Sequence, residues 1–137
     1  MNSDGSNPVL LAKPPAHDTS PSWSPDGKRI VFASRDGENF TWEIHRVDVD
    51  GGGIQSLANN AANDRQPAWS PSGEQIAFSS DRDGDYDIYV MNPDGENVLR
   101  LTNHAAGDYA PSWFPNTLAV SEREKLPTQW AAIKSNR

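Results

Sequence analysis

The sequence of 137 residues contains no cysteine, which excludes disulfide bonds, thiolate zinc sites and a cysteine nucleophile but leaves the redox compartment undecided. It has no apolar run near the roughly 18 to 20 residues that a membrane-spanning helix needs. Residues 1–20 lack the charged and then apolar layout of a signal peptide. These absences predict a soluble chain with no export signal of its own.

Basic residues are also scarce, because 12 lysines and arginines stand against 19 aspartates and glutamates, for a net charge of -7. An acidic chain repels a nucleic-acid backbone or an anionic membrane, so cationic or neutral partners fit better. The 11 prolines and 10 glycines are costly in helices and suit a turn-rich β protein. The composition therefore predicts a single all-β domain.

A short motif of proline, tryptophan and proline occurs three times, around Trp23, Trp69 and Trp113. The copies are 46 and 44 residues apart. A period of roughly 40 to 45 residues with strand patterning is typical of a four-stranded propeller blade. The repeat therefore predicts blades, and it places the three tryptophans at the same position in each.

Two complete blades are predicted, at 21–58 and 67–102, each an antiparallel meander of four strands. Turn signals separate the strands, for example Asp26-Gly27 in the first blade. Apolar residues match across the repeat, so that Ile30 corresponds to Ile76. Such matching is expected when each sheet packs face to face against the next.

The two ends of the chain together predict a third, split blade. Residues 1–12 match the sequence 90 residues later, which makes Pro8 to Leu11 an outer strand, while 111–134 supplies inner strands, including Leu118 to Val120. Residues 127–134 fit either a strand or a short helix.

This layout predicts about three blades per chain, and a propeller needs about four to eight. We therefore expect a homodimer that closes one six-bladed ring, in which the first strand of each copy completes the last blade of the other.

The repeat resembles that of TolB-like β-propellers. The resemblance rests on the Pro-x-Trp-Ser-Pro motif and on the Ser-Asp-Arg-Asp-Gly pattern that opens the segment from Ser80 to Gly95. It implies a propeller, commonly of six blades, and a periplasmic or secreted parent protein. It also implies relatives that stand beside the catalytic domain of prolyl oligopeptidase-like enzymes. Such a fold hosts many functions, so the resemblance does not fix an activity.

Three aspartates are candidate binding residues, because Asp18, Asp64 and Asp108 each stand three residues before the proline of the repeat. The corresponding loops of a propeller converge at one mouth of the channel, so these carboxylates would form an acidic ring that attracts cationic peptides. The alternative is that each carboxylate caps a turn by accepting backbone N–H bonds.

Other polar and aromatic groups favour structural roles. The acidic loop from Asp81 to Asp87 lacks the spacing of an EF-hand, so it is interpreted as a turn rather than a calcium site. The tryptophans are interpreted as packing between blades rather than as a sugar-stacking platform. No metal and no cofactor are expected. The histidines occupy different repeat positions and predict no shared metal site; they are His17, His45 and His104.

The sequence therefore predicts a non-catalytic propeller scaffold that presents its loops and channel mouth to a protein or peptide partner. There is no Gly-x-Ser-x-Gly motif, and no histidine recurs beside a serine. Two alternatives remain open: a fragment of the gating propeller of a serine peptidase, and a propeller that binds a small ligand or cation in its channel.

Overall fold

The computed structural model describes residues 4–11, 17–35, 40–114 and 133–135. Within these ranges the regular secondary structure is entirely β-strand, in agreement with the all-β prediction. No described helix is long and apolar enough to cross a membrane. The strands are β1 His17–Trp23, β2 Arg29–Arg35, β3 Trp42–Asp48, β4 Gln55–Ser56, β5 Asp64–Trp69, β6 Ile76–Ser80, β7 Asp87–Met91, β8 Leu99–Arg100, β9 Pro111–Trp113 and β10 Ile133–Ser135.

Two four-stranded antiparallel sheets carry the predicted meander, with strand orders β1-β2-β3-β4 and β5-β6-β7-β8. We call them blade 1 and blade 2. The inner strands β1, β5 and β9 follow one another in space, and β9 pairs with β10 in a third sheet. Tight turns join the first two strands of each blade, and Gly27 and Gly73 adopt a positive φ there, which glycine tolerates without strain.

The inner strands begin earlier than the sequence predicts, so that Asp18 and Asp64 lie within β1 and β5 rather than in loops. A bulge explains the difference. In both blades the register shifts near the proline, and the preceding residue, Ser20 or Gln66, adopts a φ of 53°. Since proline cannot donate to the ladder, the bulge lets pairing continue upstream of it. Ala110, at the same repeat position, shares this φ.

The core lies between the two blades. Blade 1 contributes what we call its rear face, which includes Val31, Ala33 and Ile44. Blade 2 contributes its front face, in which Trp69 is 7% exposed, so the predicted packing of Trp69 between blades is confirmed. The side chains of the front face of blade 2 are Trp69, Ile76, Phe78, Tyr89 and Met91.

Blade 1 has a front face at the equivalent positions, and it is less well covered. Trp23 is 59% exposed, so the predicted packing between blades is wrong for this tryptophan in the structure. The reason is that no described sheet stands in front of blade 1. An apolar groove runs there, bordered by Ile30, Phe32 and Val47. The side chains of the front face of blade 1 are Trp23, Ile30, Phe32, His45 and Val47.

The strand predicted for Pro8 to Leu11 is not formed. An outer strand is held by backbone bonds to a neighbour, and no described strand pairs with this segment. Val9 and Leu10 are 69% and 70% exposed, while Leu11 lines the groove on blade 1. Within the single chain the segment borders blade 1, and its pairing with the last blade of a second copy stays a prediction.

At the other end, Ile133–Ser135 forms a strand, which decides between strand and helix for these residues. It pairs directly with the inner strand β9, with Ile133 opposite Trp113. The sequence places this tail third in its blade, whereas in the structure it takes the second position. The predicted strand from Leu118 to Val120 lies outside the described residues.

Candidate binding site at the mouth

One end of the blades gathers most of the candidate residues, and we call it the mouth. The inner strands start there and the second strands end there, because Asp18 pairs with Ser34 and Asp64 pairs with Ser80. The connections from β2 to β3 and from β6 to β7 therefore return to the same end. Side chains from consecutive sheets meet at the mouth.

The three predicted aspartates occupy this end but do not share one environment. Asp18 is exposed, whereas Asp64 and Asp108 are 0% and 2% exposed. Two of the three carboxylates are therefore buried, and a cationic ligand in solvent cannot reach them directly. Their binding role stays a prediction, and the structural alternative has direct contacts in its favour.

Asp64 is held in a network of side chains. Its Oδ1 accepts a hydrogen bond from Nη2 of Arg82 at 3.0 Å, and its Oδ2 accepts one from Nδ2 of Asn60 at 2.7 Å. Arg82 is fixed in turn, since its Nε donates to Oγ of Ser80 at 2.9 Å and its guanidinium lies over the Tyr89 ring at 4.7 Å. A buried carboxylate needs such partners, so this pair is a structural clamp.

Asp108 joins the third sheet to blade 2. Its backbone N–H donates to the carbonyl of Tyr86 at 2.6 Å, and its Oδ2 lies 3.5 Å from Nδ1 of His104. The neighbouring bulge is tied down as well, because Oε1 of Gln66 accepts bonds from the N–H of Ala110 at 3.0 Å and from Oγ of Ser79 at 3.1 Å. Polar contacts thus set the position of the third inner strand.

Aromatic side chains at matching repeat positions form a second feature of the mouth. Trp42 and Tyr86 begin or precede the third strands at equivalent positions, 44 residues apart. Each contacts the residue that follows the repeat aspartate in the next sheet: Arg65 lies over the Trp42 ring, and Tyr109 packs on Tyr86 with ring centroids 4.8 Å apart. The described part of the mouth therefore carries an arginine and aromatic rings beside the exposed Asp18.

Trp42 is approached by two guanidinium groups. The Cζ of Arg65 lies 5.0 Å from the Trp42 ring centroid and the Cζ of Arg35 lies 5.7 Å from it, distances typical of cation–π contact. Asn63 fixes the tryptophan backbone, since its Oδ1 accepts a bond from Trp42 N–H at 3.3 Å. The same asparagine donates through N–H and Nδ2 to Asp81, at 2.7 and 2.9 Å. The ring and its arginines are thus anchored to both blades.

The acidic loop has partners for its carboxylates. Asp83 accepts a bond from the Tyr89 hydroxyl at 2.6 Å and lies 3.7 Å from Arg100, which also bonds to buried Asp87. Asp87 accepts a further bond from Oγ1 of Thr102 at 3.2 Å. Among the described residues no group of three or more histidine or carboxylate side chains is arranged to hold a metal ion. These contacts favour the interpretation of the loop as a structural turn.

The pKa values of two tyrosines in this region are raised. Burial raises the pKa of Tyr86 above its ordinary value. Burial, with the hydrogen bond to Asp83 as the second cause, raises the pKa of Tyr89 from 10.0 to about 12. In both cases the protein interior disfavours the phenolate.

The raised pKa of Tyr89 predicts a loss of stability in alkali. The unfolded chain ionises this tyrosine near pH 10 while the folded chain keeps it neutral, so its stabilising effect is complete below pH 10 and is lost between pH 10 and about 12. Denaturant unfolding across that range should show a shallower decline for Tyr89→Phe than for the original chain. The exposed control Tyr109→Phe should lose stability with pH as the original chain does. The assignment would be contradicted if Tyr89→Phe lost as much stability over this pH range as the original chain and the control.

Sequence reasoning missed the aromatic and arginine residues of the mouth. The signal existed, because Trp42 and Tyr86 recur at the repeat spacing and Arg65 and Tyr109 each follow a repeat aspartate. It was weak because residue types at these positions vary while spacing is kept. The aspartates stood out by identity, and two of the three, Asp64 and Asp108, are buried.

Comparison with known proteins identifies the repeat. The TolB β-propeller domain family matches residues 1–128. A solved structure of a putative TolB from Agrobacterium tumefaciens is 32% identical with a TM-score of 0.72, covering 82% of this chain and 39% of that one. TolB from Acinetobacter baumannii is 28% identical with a TM-score of 0.60, covering 67% of this chain and 23% of that one.

A puromycin hydrolase shares the fold, at 23% identity and a TM-score of 0.56, covering 64% of this chain and 14% of that one. No curated protein matches the chain. The chain thus spans well under half the length of each solved structure that it resembles. Since the family covers residues 1–128, this chain belongs to the TolB β-propeller domain family.

Proposed function

We propose that this chain is a non-catalytic propeller section whose mouth binds a peptide or protein segment. The observation that carries the proposal is the repeated arrangement of aromatic side chains at the mouth, where Tyr109 is 45% exposed and packs on Tyr86. Tyrosine, tryptophan and arginine are the side chains enriched in binding hot spots. The charged groups nearby, such as Asp64 and Arg82, are engaged in pairs that hold the sheets.

Selection of peptides from a random library displayed against the full chain tests this role. Peptides that bind the mouth should lose about tenfold or more of their affinity for Tyr109→Ala, because a partly exposed aromatic anchor is removed. The matched control is Leu99→Ala, which removes a side chain that is 54% exposed on the outer strand β8 and should change nothing. A library without binders, or binders that ignore Tyr109→Ala, would contradict the proposal.

The alternative role, in the gating propeller of a serine peptidase, has only likeness of fold behind it. Peptidase assay of the full gene product, together with the same product carrying Tyr109→Ala, distinguishes the two roles. A scaffold gives no hydrolysis in either case.

We further propose that a second copy of the chain covers the front face of blade 1 and closes the ring. The repeat supports this, because the same positions in blade 2 are covered by a blade: Trp69 is 7% exposed, against 59% for Trp23. The stacked pair Phe32 and His45 also keeps the geometry of its counterpart in blade 2, with centroids at 5.8 Å in both.

The turns between the third and fourth strands also differ between the blades, because the turn of blade 2 is covered and that of blade 1 is not. Gly95, in blade 2, approaches blade 1 so closely that a Cβ would lie 2.5 Å from the Leu57 carbonyl oxygen. Gly51 is the equivalent residue of blade 1, and nothing lies within 4 Å of its added Cβ. Both glycines have a positive φ. This difference supports the proposal that the rear face of another blade covers the front of blade 1.

A second copy is the occupant that we favour. Three sheets are fewer than the about four to eight of a closed propeller, two copies supply six, and three copies exceed that range. In such a ring the mouth would be assembled from both copies, so the proposed peptide site depends on closure.

Trp23→Glu should break this contact, because it places a charge in an apolar interface. We expect the dissociation constant of the dimer, measured by sedimentation at several concentrations, to rise by at least about tenfold. The control Leu99→Glu adds the same charge to another exposed apolar position and should leave the dimer intact. A dimer unaffected by Trp23→Glu would place the contact elsewhere.

A further inference from the structure

The mouth presents an exposed cation although the chain as a whole is acidic. The chain carries a net charge of -7, and the sequence predicts an acidic ring at this end. In the structure Asp64 and Asp108 are buried, and Asp64 is neutralised by Arg82. Arg65, next to Asp64 in the same strand, is exposed. The mouth therefore presents the cation of Arg65 as well as the exposed carboxylate of Asp18.

Arg65 is held in place while its hydrogen-bond donors stay available. Its guanidinium lies over the Trp42 ring at 5.0 Å, and its positive charge also acts on Tyr86. Among the described residues no carboxylate lies within ion-pair distance of Arg65. Asp81 of blade 2 has both carboxylate oxygens engaged by Asn63. A stacked arginine of this kind loses less side-chain conformational entropy when it forms a bidentate pair, because its guanidinium is already positioned.

From this geometry we propose that Arg65 is an anchor for a carboxylate, and that the peptide bound at the mouth carries one. The guanidinium offers a planar fork that matches a carboxylate, and such charge-assisted bonds are about twice as strong as neutral ones. Trp42 and the Tyr86–Tyr109 pair flank the anchor and supply aromatic surface for the neighbouring peptide residue. The carboxylate is either an acidic side chain or the peptide's own C terminus. This inference rests on the proposed function, since it names the chemistry of the partner for the same site.

Three labelled peptides test the inference by fluorescence anisotropy with the full chain: tetraglutamate with an amidated C terminus, tetraglutamine with a free C terminus, and tetralysine with an amidated C terminus. A neutral dye avoids adding charge. We expect the first or the second to bind, and which one binds identifies the source of the carboxylate. We also expect binding to weaken as salt rises, because the exposed pair is screened.

The decisive variant is Arg65→Gln, which should reduce affinity for the bound peptide by about tenfold. Arg65→Lys should recover only part of it, because a lysine lacks the fork. The control Arg29→Gln removes the same charge at the end of β2 that lies away from the mouth, where Arg29 pairs with Asp48. This control should leave the affinity for the peptide unchanged. Thermal melting of each variant checks that the fold is kept.

Several results would overturn the inference. Equal losses in Arg65→Gln and Arg29→Gln would mean that only overall charge matters, and preferential binding of tetralysine would restore the acidic mouth. Library peptides that bind the mouth without a carboxylate would leave the proposed function standing and remove this inference alone. A library without any binder would instead contradict the proposed function itself.

Discussion

Trp69→Ala is expected to lower the free energy of unfolding by about 3 to 5 kcal/mol. Trp69 is 7% exposed and lies in the cluster that joins the front face of blade 2 to the rear face of blade 1, so its loss leaves a cavity between the two sheets. The cost comes from lost transfer energy and from contacts that the neighbouring side chains cannot remake. Denaturant unfolding at fixed protein concentration measures it.

The control for this variant is Phe40→Ala. Phe40 is 71% exposed, so its removal should change stability by no more than about 0.5 kcal/mol. A loss below about 1 kcal/mol for Trp69→Ala would place Trp69 outside the core and would restore the interpretation of the repeat tryptophans as a sugar-stacking platform.

Arg82→Ala should be nearly as damaging, with a loss of about 3 kcal/mol or more. The substitution leaves Asp64, which is 0% exposed, as a buried carboxylate with Asn60 as its remaining side-chain partner. Adding Asp64→Asn should recover part of the stability, because the unpaired charge is then gone.

An exposed pair provides the comparison. In Arg29 and Asp48 the side chains are 40% and 43% exposed, so Arg29→Ala should cost less than about 1 kcal/mol. Equal costs for Arg82→Ala and Arg29→Ala, or no recovery in the double variant, would mean that the Arg82 and Asp64 pair is not the clamp described above.

The blades themselves were predictable from the sequence, because the repeat fixes both spacing and pattern. Matched apolar positions such as Ile30 and Ile76 identify the strands, and Asp-Gly pairs identify the turns. What escaped prediction was the strand start before Pro21 and Pro67. A bulge depends on a backbone conformation that the residue types of Ser20 and Gln66 do not indicate, since a φ of 53° is unusual for either residue.

Burial was the harder part of the site to predict. Asp18 and Asp64 occupy the same position in the repeat, yet one is exposed and the other is buried. Asp64 pairs with Arg82, whose guanidinium also lies over the Tyr89 ring, and the repeat motif does not indicate these tertiary contacts. Trp23 and Trp69 differ in the same way, because the motif places each tryptophan in its blade but not the sheet that covers it.

We propose that the front face of blade 1 is covered by a second copy of this chain. The molar mass of the chain in solution tests this, measured by light scattering while circular dichroism confirms the β fold. We expect a folded dimer of twice the 15.0 kDa chain mass, with no folded monomer at working concentrations. A stable, folded species of 15.0 kDa would contradict it.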